Sequence, residues 1–224
     1  MIIAEQKAIS EIEKMLQGCR KVMVAGCGTC VTVCFAGGEK ETGVLASELR
    51  VMRELGGQPL ETVERTLHRQ CEWEFIDAVK GELDGVEAIV SLGCGVGVQA
   101  MSERLPGVRV VPALNTKFMG LPREQGVWEE RCAGCGNCVL DLTGGICPIA
   151  RCSKSLLNGP CGGSSGGKCE IDQAVECGWQ LIYDRLKSLN LLHLLEEVLP
   201  AKDWSTARDG GPRRIVREDL RLSR

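Results

Sequence analysis

Aromatic side chains are scarce in this chain, 4% of 224 residues, and histidine occurs only as His68 and His193. So few rings weaken any case for stacked nucleobases or a sugar platform. Neither histidine has Asp, Ser or Cys neighbours at a catalytic spacing, so both read as surface or packing residues. A basic excess is missing as well: 27 Lys and Arg against 30 Asp and Glu give a net charge of -3. That removes the electrostatic argument for nucleic acid or an anionic membrane as partner. No apolar run approaches the roughly 20 residues that span a bilayer, and the opening MIIAEQKAIS lacks a basic stretch followed by a long apolar one. The expectation is a cytoplasmic chain with no nucleic acid and no membrane insertion, whose partner is a small molecule or a protein.

Cysteine is what the chain has in excess, 14 residues, together with 28 glycines. In a secreted protein such a count announces disulfides, but in a reducing compartment thiolates held for metals are the leading explanation. Cys19, isolated at the end of a helical pattern, reads instead as a small packing residue.

The hydrophobic content of 44% supports true cores. Ala8, Ile9, Ile12, Met15 and Leu16 recur at helical spacing within 4–18, and Lys21–Ala25 is a short β-prone run ending at Gly26. Helical periodicity returns over 41–55 and stops at Gly56-Gly57, and a further helix is expected over 69–82. Strands follow at 87–92 and 108–111, with a short helix at 98–104 between them. Alternating strand and helix predicts an α/β domain with a small parallel sheet covered by helices. Sites in such sheets form at the carboxyl ends of strands. Cys27 and Cys94 both follow strand ends, so two distant segments are expected to meet at one edge.

The stretch 115–126 shows no clear period, and 132–170 is dominated by Cys, Gly and Pro, too poor in large apolar residues to build a core alone. The expected organisation is therefore 1–125 as an α/β domain with an N-terminal metal site, 126–200 as a cysteine-rich, metal-stapled, ferredoxin-like or helical domain, and 201–224 as a tail of low intrinsic order. Helices are expected over 148–157 and 170–189, the latter presenting Val175, Trp179, Ile182, Leu186 and Leu189 on one face.

Two thiol constellations carry the chemistry. Cys27-Gly-Thr-Cys30-Val-Thr-Val-Cys34 and Cys94 form a plausible four-thiolate site, with Cys71 as the reserve ligand. Three closely spaced thiolates favour iron–sulfur over zinc, which usually takes two well-separated pairs. Gly93-Cys94-Gly95-Val96-Gly97 resembles a dinucleotide turn, but it lacks the full glycine pattern, and its thiol stands where a phosphate would have to approach.

The second constellation comprises Cys132, Cys135, Cys138, Cys147, Cys152, Cys161, Cys169 and Cys177. The two-residue gaps of Cys132-Ala-Gly-Cys135-Gly-Asn-Cys138 suit a backbone wrapped around one face of a cluster. The Cys-Pro pair at Cys147 follows at a wider gap than in ferredoxins, so spacing leaves the fourth ligand unassigned. Cys161, Cys169 and Cys177 suit a structural zinc or a second cluster, or pack around the first.

These motifs, with Cys147-Pro-Ile-Ala-Arg-Cys-Ser-Lys-Ser-Leu-Leu-Asn-Gly-Pro-Cys-Gly-Gly163 and Ser91-Leu-Gly-Cys-Gly-Val-Gly97, resemble the small cysteine-rich partner subunit (MetV type) of the methylenetetrahydrofolate reductases of acetogenic bacteria. The resemblance implies two [4Fe-4S] clusters, with one structural zinc as a further metal. It also implies a flavin-containing catalytic subunit as partner, which reduces methylenetetrahydrofolate to methyltetrahydrofolate, and an electron donor such as ferredoxin or a larger electron-transfer complex. The residues themselves offer no flavin or nicotinamide site and no acid/base pair. Two other readings stand beside this one: a zinc-stapled, non-redox scaffold that stabilises a catalytic partner, and an enzyme binding substrate at an open iron.

Overall fold

The computed structural model describes residues 1–221. In chain order its first elements are β1 (Ile2–Gln6), α1 (Ile9–Met15), β2 (Lys21–Cys27), α2 (Cys30–Val33), α3 (Glu39–Leu55) and β3 (Glu61–Leu67). They are followed by α4 (Trp73–Asp77), β4 (Ala88–Ser91), α5 (Gly95–Arg104), β5 (Arg109–Pro112), β6 (Leu114–Glu124) and β7 (Val127–Cys132). After these come α6 (Pro148–Arg151) and α7 (Gly178–Ser188), with 3-10 turns between and beyond them. The chain divides into two units, Met1–Glu129 and Glu130–Arg224.

The first unit is built on a four-stranded parallel sheet in the order β3-β2-β4-β5. Its central strands β2 and β4 are buried on both sides, and each alternates its residues between two cores. Val22, Val24, Ala88 and Val90 face one core with Ile12 and Leu16 of α1 and Leu45, Ala46 and Leu49 of α3. Met23, Ala25 and Ile89 face the other with Ile76 of α4 and Met101 of α5. Helices on both faces make this a doubly wound α/β unit. The chain moves from β2 outward to β3 and then returns across β2 to β4, so the strand order reverses at β2 and β4. A reversal of this kind opens a crevice beyond the carboxyl ends of the strands.

A second sheet of three strands, in the order β1-β6-β7, pairs β1 antiparallel to β6, and a two-residue turn at Gln125-Gly126 joins β6 to β7. These strands depart from the sequence expectation. Residues 4–18 hold β1 before α1, because Ile2–Gln6 finds backbone partners on Leu114–Met119. Most side chains of β6 are exposed, so the strand is held by its ladder and leaves no alternating pattern to read. A strand likewise lies at β3, where edge charges hide the pattern: Glu61 pairs with Lys21 at 3.0 Å, Glu64 with Arg50 at 2.7 Å, and Arg65 with Glu82. The helix expected over 69–82 is reduced to α4 and a 3-10 turn at Lys80–Glu82.

One side chain ties the strand ends together. Gln70, fully buried after β3, donates from Nε2 to the carbonyls of Ala25 and Gly26 at 2.8 and 2.9 Å and accepts from Ser91 Oγ at 2.5 Å. Both amide hydrogens and the amide oxygen are thereby used. Ser91 Oγ also accepts from the Gly93 N–H at 3.1 Å. Gly93 and Gly97 are needed for this packing: an added Cβ would stand 2.4 Å from Gln70 Oε1 at the first and 2.9 Å from Gln70 Cβ at the second.

In the second unit the small core is Cys177, Trp179, Ile182 and Leu186, with Trp179 Nε1 donating to the Leu156 carbonyl at 3.0 Å. The expected helix over 148–157 stops at Arg151, since Cys152 is extended and Ser155 adopts φ 50°. The helix expected over 170–189 begins only at Gly178. Residues 169–177 instead fold back on themselves, Cys169 N–H donating to Val175 O at 2.9 Å and Cys177 N–H to Gly167 O at 2.8 Å. Val175 and Leu189 are accordingly exposed, outside the buried face. Residues 191–199 contribute a 3-10 turn at Leu192–Leu195. Short helices, turns and isolated bridges make up 133–221, with no ferredoxin-type sheet among the described residues.

Two stability predictions arise here. Gln70→Leu keeps most of the volume but removes the bonds to the Ala25 and Gly26 carbonyls and to Ser91 Oγ, of which the Ala25 carbonyl keeps the Leu92 N–H at 2.8 Å, and is expected to cost roughly 1–3 kcal/mol in urea unfolding; a loss below about 0.5 kcal/mol would show that the latch is not structural. Asp77 receives Arg104 through two bonds of 2.7 and 2.6 Å and Lys80 at 2.7 Å, and these hold its carboxyl well below the usual carboxylate range. A carboxyl depressed in the folded state gives stability above its unfolded pKa of about 3.9, and that stability is lost as pH falls below it. Between pH 5 and 3 (roughly the span around that value), Asp77→Asn is expected to lose less stability than the parent chain; parallel losses would contradict this.

Candidate metal centres

Cys27, Cys30, Cys71 and Cys94 lie at or just beyond the strand ends at the reversal. Cys27 is the last residue of β2, Cys30 opens α2, Cys94 caps the N-terminus of α5, and Cys71 directly follows the buried Gln70. The loop carrying α2 is pinned in place. Thr32 Oγ1 donates to Cys27 O at 2.8 Å, Cys27 N–H donates to Gly37 O at 2.9 Å, and a Cβ on Gly37 would stand 2.0 Å from Leu92 O at the end of β4. Burial and then the charge of Cys27, with that of Cys94 behind it, push the Cys71 thiol up. Cys27 and Cys94 are thus the thiols within electrostatic reach of Cys71. Arg69, ion-paired to Glu72 at 2.5 Å, feels both Cys71 and Cys30 and brings a positive charge to the group.

Cys34 is placed differently. It lies in the core beneath α1 and α3, and its Sγ is 3.6 Å from the carbonyls of both Ala4 and Val31, with burial pushing its thiol up. Cys19 follows α1 on a turn, half-buried, and its carbonyl accepts from Arg53 at 2.6 Å, which is a packing position. His68 packs edge-on against Phe75 with ring centroids 5.1 Å apart, and His193 is exposed in a 3-10 turn.

In the second unit, Gly134 and Gly136 adopt φ 62° and 84° and turn the Cys132–Cys138 loop tightly enough for Gly134 N–H to donate to Cys132 Sγ at 3.4 Å. Cys147 caps α6 at its N-terminus and Cys152 at its C-terminus. Cys161 Sγ donates to Glu170 Oε2 at 3.1 Å, and Lys154 Nζ reaches the same oxygen at 2.5 Å. Ser153 and backbone amides lower the Cys169 thiol. At Cys177 burial works against ionisation, but a hydrogen bond from Ser164 and amides of Gln180 and Trp179 prevail and lower the thiol. Two neighbouring thiols are thus biased toward thiolate, the form that binds metal.

Among the described residues no three His, Cys, Asp or Glu side chains converge to metal-holding distances. The donor chemistry suits iron–sulfur or zinc, and any binding has to draw the side chains together. Sequence reasoning missed Gln70, Arg69 and Thr116, whose Oγ1 accepts the Gly95 N–H at 2.9 Å. The adjacency of Gln70 to Cys71 was the one available signal, unread because the strand before it was unread.

Residues 111–205 match the family model described as Methylene-tetrahydrofolate reductase C terminal. This segment is similar to that family and contains every candidate ligand from Cys132 to Cys177, while Cys27 to Cys94 fall outside it. No curated protein and no solved structure matches the chain. Among the described residues, no helix is long and apolar enough to cross a membrane.

The thiols of the metal-free chain should differ sharply in reactivity. Maleimide labelling read by mass spectrometry is expected to modify exposed Cys132, Cys138 and Cys161 first, Cys71 more slowly because its thiol is pushed up, and buried Cys34 only on unfolding. Rapid labelling of native Cys34 would contradict its placement.

Proposed function

We propose that the chain is an iron–sulfur electron-transfer subunit working with a methylenetetrahydrofolate reductase, passing electrons to the flavin of a separate catalytic subunit that forms methyltetrahydrofolate. The electron donor is a ferredoxin or a larger electron-transfer complex. The observation that carries the redox part is the placement of Cys27, Cys71 and Cys94 at or just beyond the ends of three neighbouring strands, at the reversal of a doubly wound sheet, where such folds bind their ligands. Support for the reductase link comes from the family similarity over 111–205.

The residues divide the work as follows. Cys27, Cys30 and Cys94 hold the N-terminal centre, with Cys71 as the fourth ligand in preference to Cys34, whose sulfur faces the core. Gln70 fixes the strand ends that carry three of these ligands. The N-terminus of α5 and the Arg69 guanidinium set positive potential against thiolate charge. Cys132, Cys135 and Cys138 anchor the second centre, its fourth ligand drawn from the remaining C-terminal cysteines. Cys161, Cys169 and Cys177 suit a structural zinc, bound through the thiolate bias of the last two. When bound, two [4Fe-4S] clusters supply one-electron transfer at potentials set by hydrogen bonding to sulfur and by burial.

The scaffold reading draws its support from the second unit, whose core of Cys177, Trp179, Ile182 and Leu186 is small for the length of chain it orders. Metal binding then contributes folding energy without redox chemistry.

A reductive titration of the anaerobically purified chain, followed by electron paramagnetic resonance, is expected to show two reducible centres. No reducible signal would leave the scaffold. Cys71→Ser is expected to remove about half of the iron, as the loss of one of two cubanes, while Cys34→Ser keeps it. The reverse pattern would return the fourth ligand to Cys34.

A further inference from the structure

The segment 202–213 has the composition of a solvated arm, yet it lies along the Cys132–Cys138 loop and bonds to it through main-chain carbonyls. Lys202 Nζ donates to Asn137 O at 3.3 Å and Arg213 Nη1 to Gly134 O at 2.6 Å, while the single Thr206 hydroxyl proton is shared between Cys135 O and Asp203 O, both at 3.0 Å. Arg213 Nη1 also donates to Thr206 O at 3.1 Å, closing the segment on itself. The approach is tight at Gly136, where a Cβ would stand 2.2 Å from Thr206 O. The segment has its own order as well: Asp203 Oδ1 accepts from the Ser205 N–H at 2.9 Å, and Lys202 sits 5.6 Å over the Trp204 ring.

The pattern of acceptors is informative. A trans peptide places its C=O and the following N–H on opposite sides, and among the described residues there are no cis bonds. With the carbonyls of Gly134, Cys135 and Asn137 turned to the segment, the N–H groups of Cys135, Gly136 and Cys138 point away from it. Those amides are left to serve sulfur, as the Gly134 N–H already serves Cys132 Sγ, while the Cys135 thiol donates to the Asn137 carbonyl at 3.6 Å. Lys202 and Arg213 also bring two positive charges behind a loop of three thiols.

We infer that residues 202–213 are a clamp that holds the Cys132–Cys138 loop in its metal-holding shape, with Arg213 and Thr206 as positioning residues. The inference rests on the proposed metal role of this loop. Its test compares the full chain with an Arg213→Ala/Thr206→Val variant, and with Arg213→Lys, which keeps one donor. Backbone 15N order parameters over 133–138 in the metal-free protein are expected to fall in the double variant from about 0.85 toward 0.6 or below, the span from rigid to flexible backbone. Order parameters over 22–25 are expected to stay unchanged, and Arg213→Lys to lie between. Iron release from the loaded protein to a chelator is expected to quicken at least severalfold. Unchanged order parameters over 133–138 would overturn the clamp. A looser loop with iron held equally long in both proteins would overturn its metal role while leaving the proposed function intact. A looser loop in a chain that holds no iron even as the parent would overturn both.

Discussion

The buried carboxamide of Gln70 is the interaction on which the N-terminal arrangement depends. An unpaired amide in that position would be costly, and the same group, with all its hydrogen bonds made, fixes the ends of β2 and β4 to the chain leaving β3. The glycines at Gly93 and Gly97 follow from it, since neither position has room for a side chain against Gln70. What looks in one dimension like a phosphate-binding turn is in three dimensions the seat of a glutamine.

The placement of the thiols is inherited from that latch. Cys71 is the neighbour of Gln70, Cys27 ends the strand whose carbonyls Gln70 grips, and Cys94 follows the glycine packed against it. A rigid strand edge presenting reactive groups on short loops is the common plan of α/β sites, and here the groups are sulfur atoms rather than acids or phosphate donors. In the second unit the ordering comes from different sources: left-handed glycines in the Cys132–Cys138 loop, the returning segment 202–213, and a core of a few residues around Trp179.

The elements legible in the sequence were those whose side-chain pattern is dictated by burial. β2, β4 and α3 could be read because each presents apolar residues to a core, whereas the strand order could not, since it turns on β3. β1, β3 and β6 could not, because their stability lies in backbone ladders and edge ion pairs rather than in a buried face. The thiol motifs were legible as chemistry but not as geometry. Cys34 shares the spacing of Cys27 and Cys30, yet after the four-residue α2 its sulfur lies against the carbonyls of Ala4 and Val31 in the core, while Cys71 follows the buried Gln70 beyond the end of β3. In the tail, the polar composition of 201–224 says nothing of the main-chain acceptors that its side chains find; the last three residues lie outside the described ones.

The central claim is that these thiols hold iron–sulfur clusters, and its most direct measurement is iron, zinc and acid-labile sulfide per chain after anaerobic purification. The account predicts about eight irons with matching sulfide, at four per cubane, with any zinc as an addition. Zinc with little iron and no sulfide would contradict it.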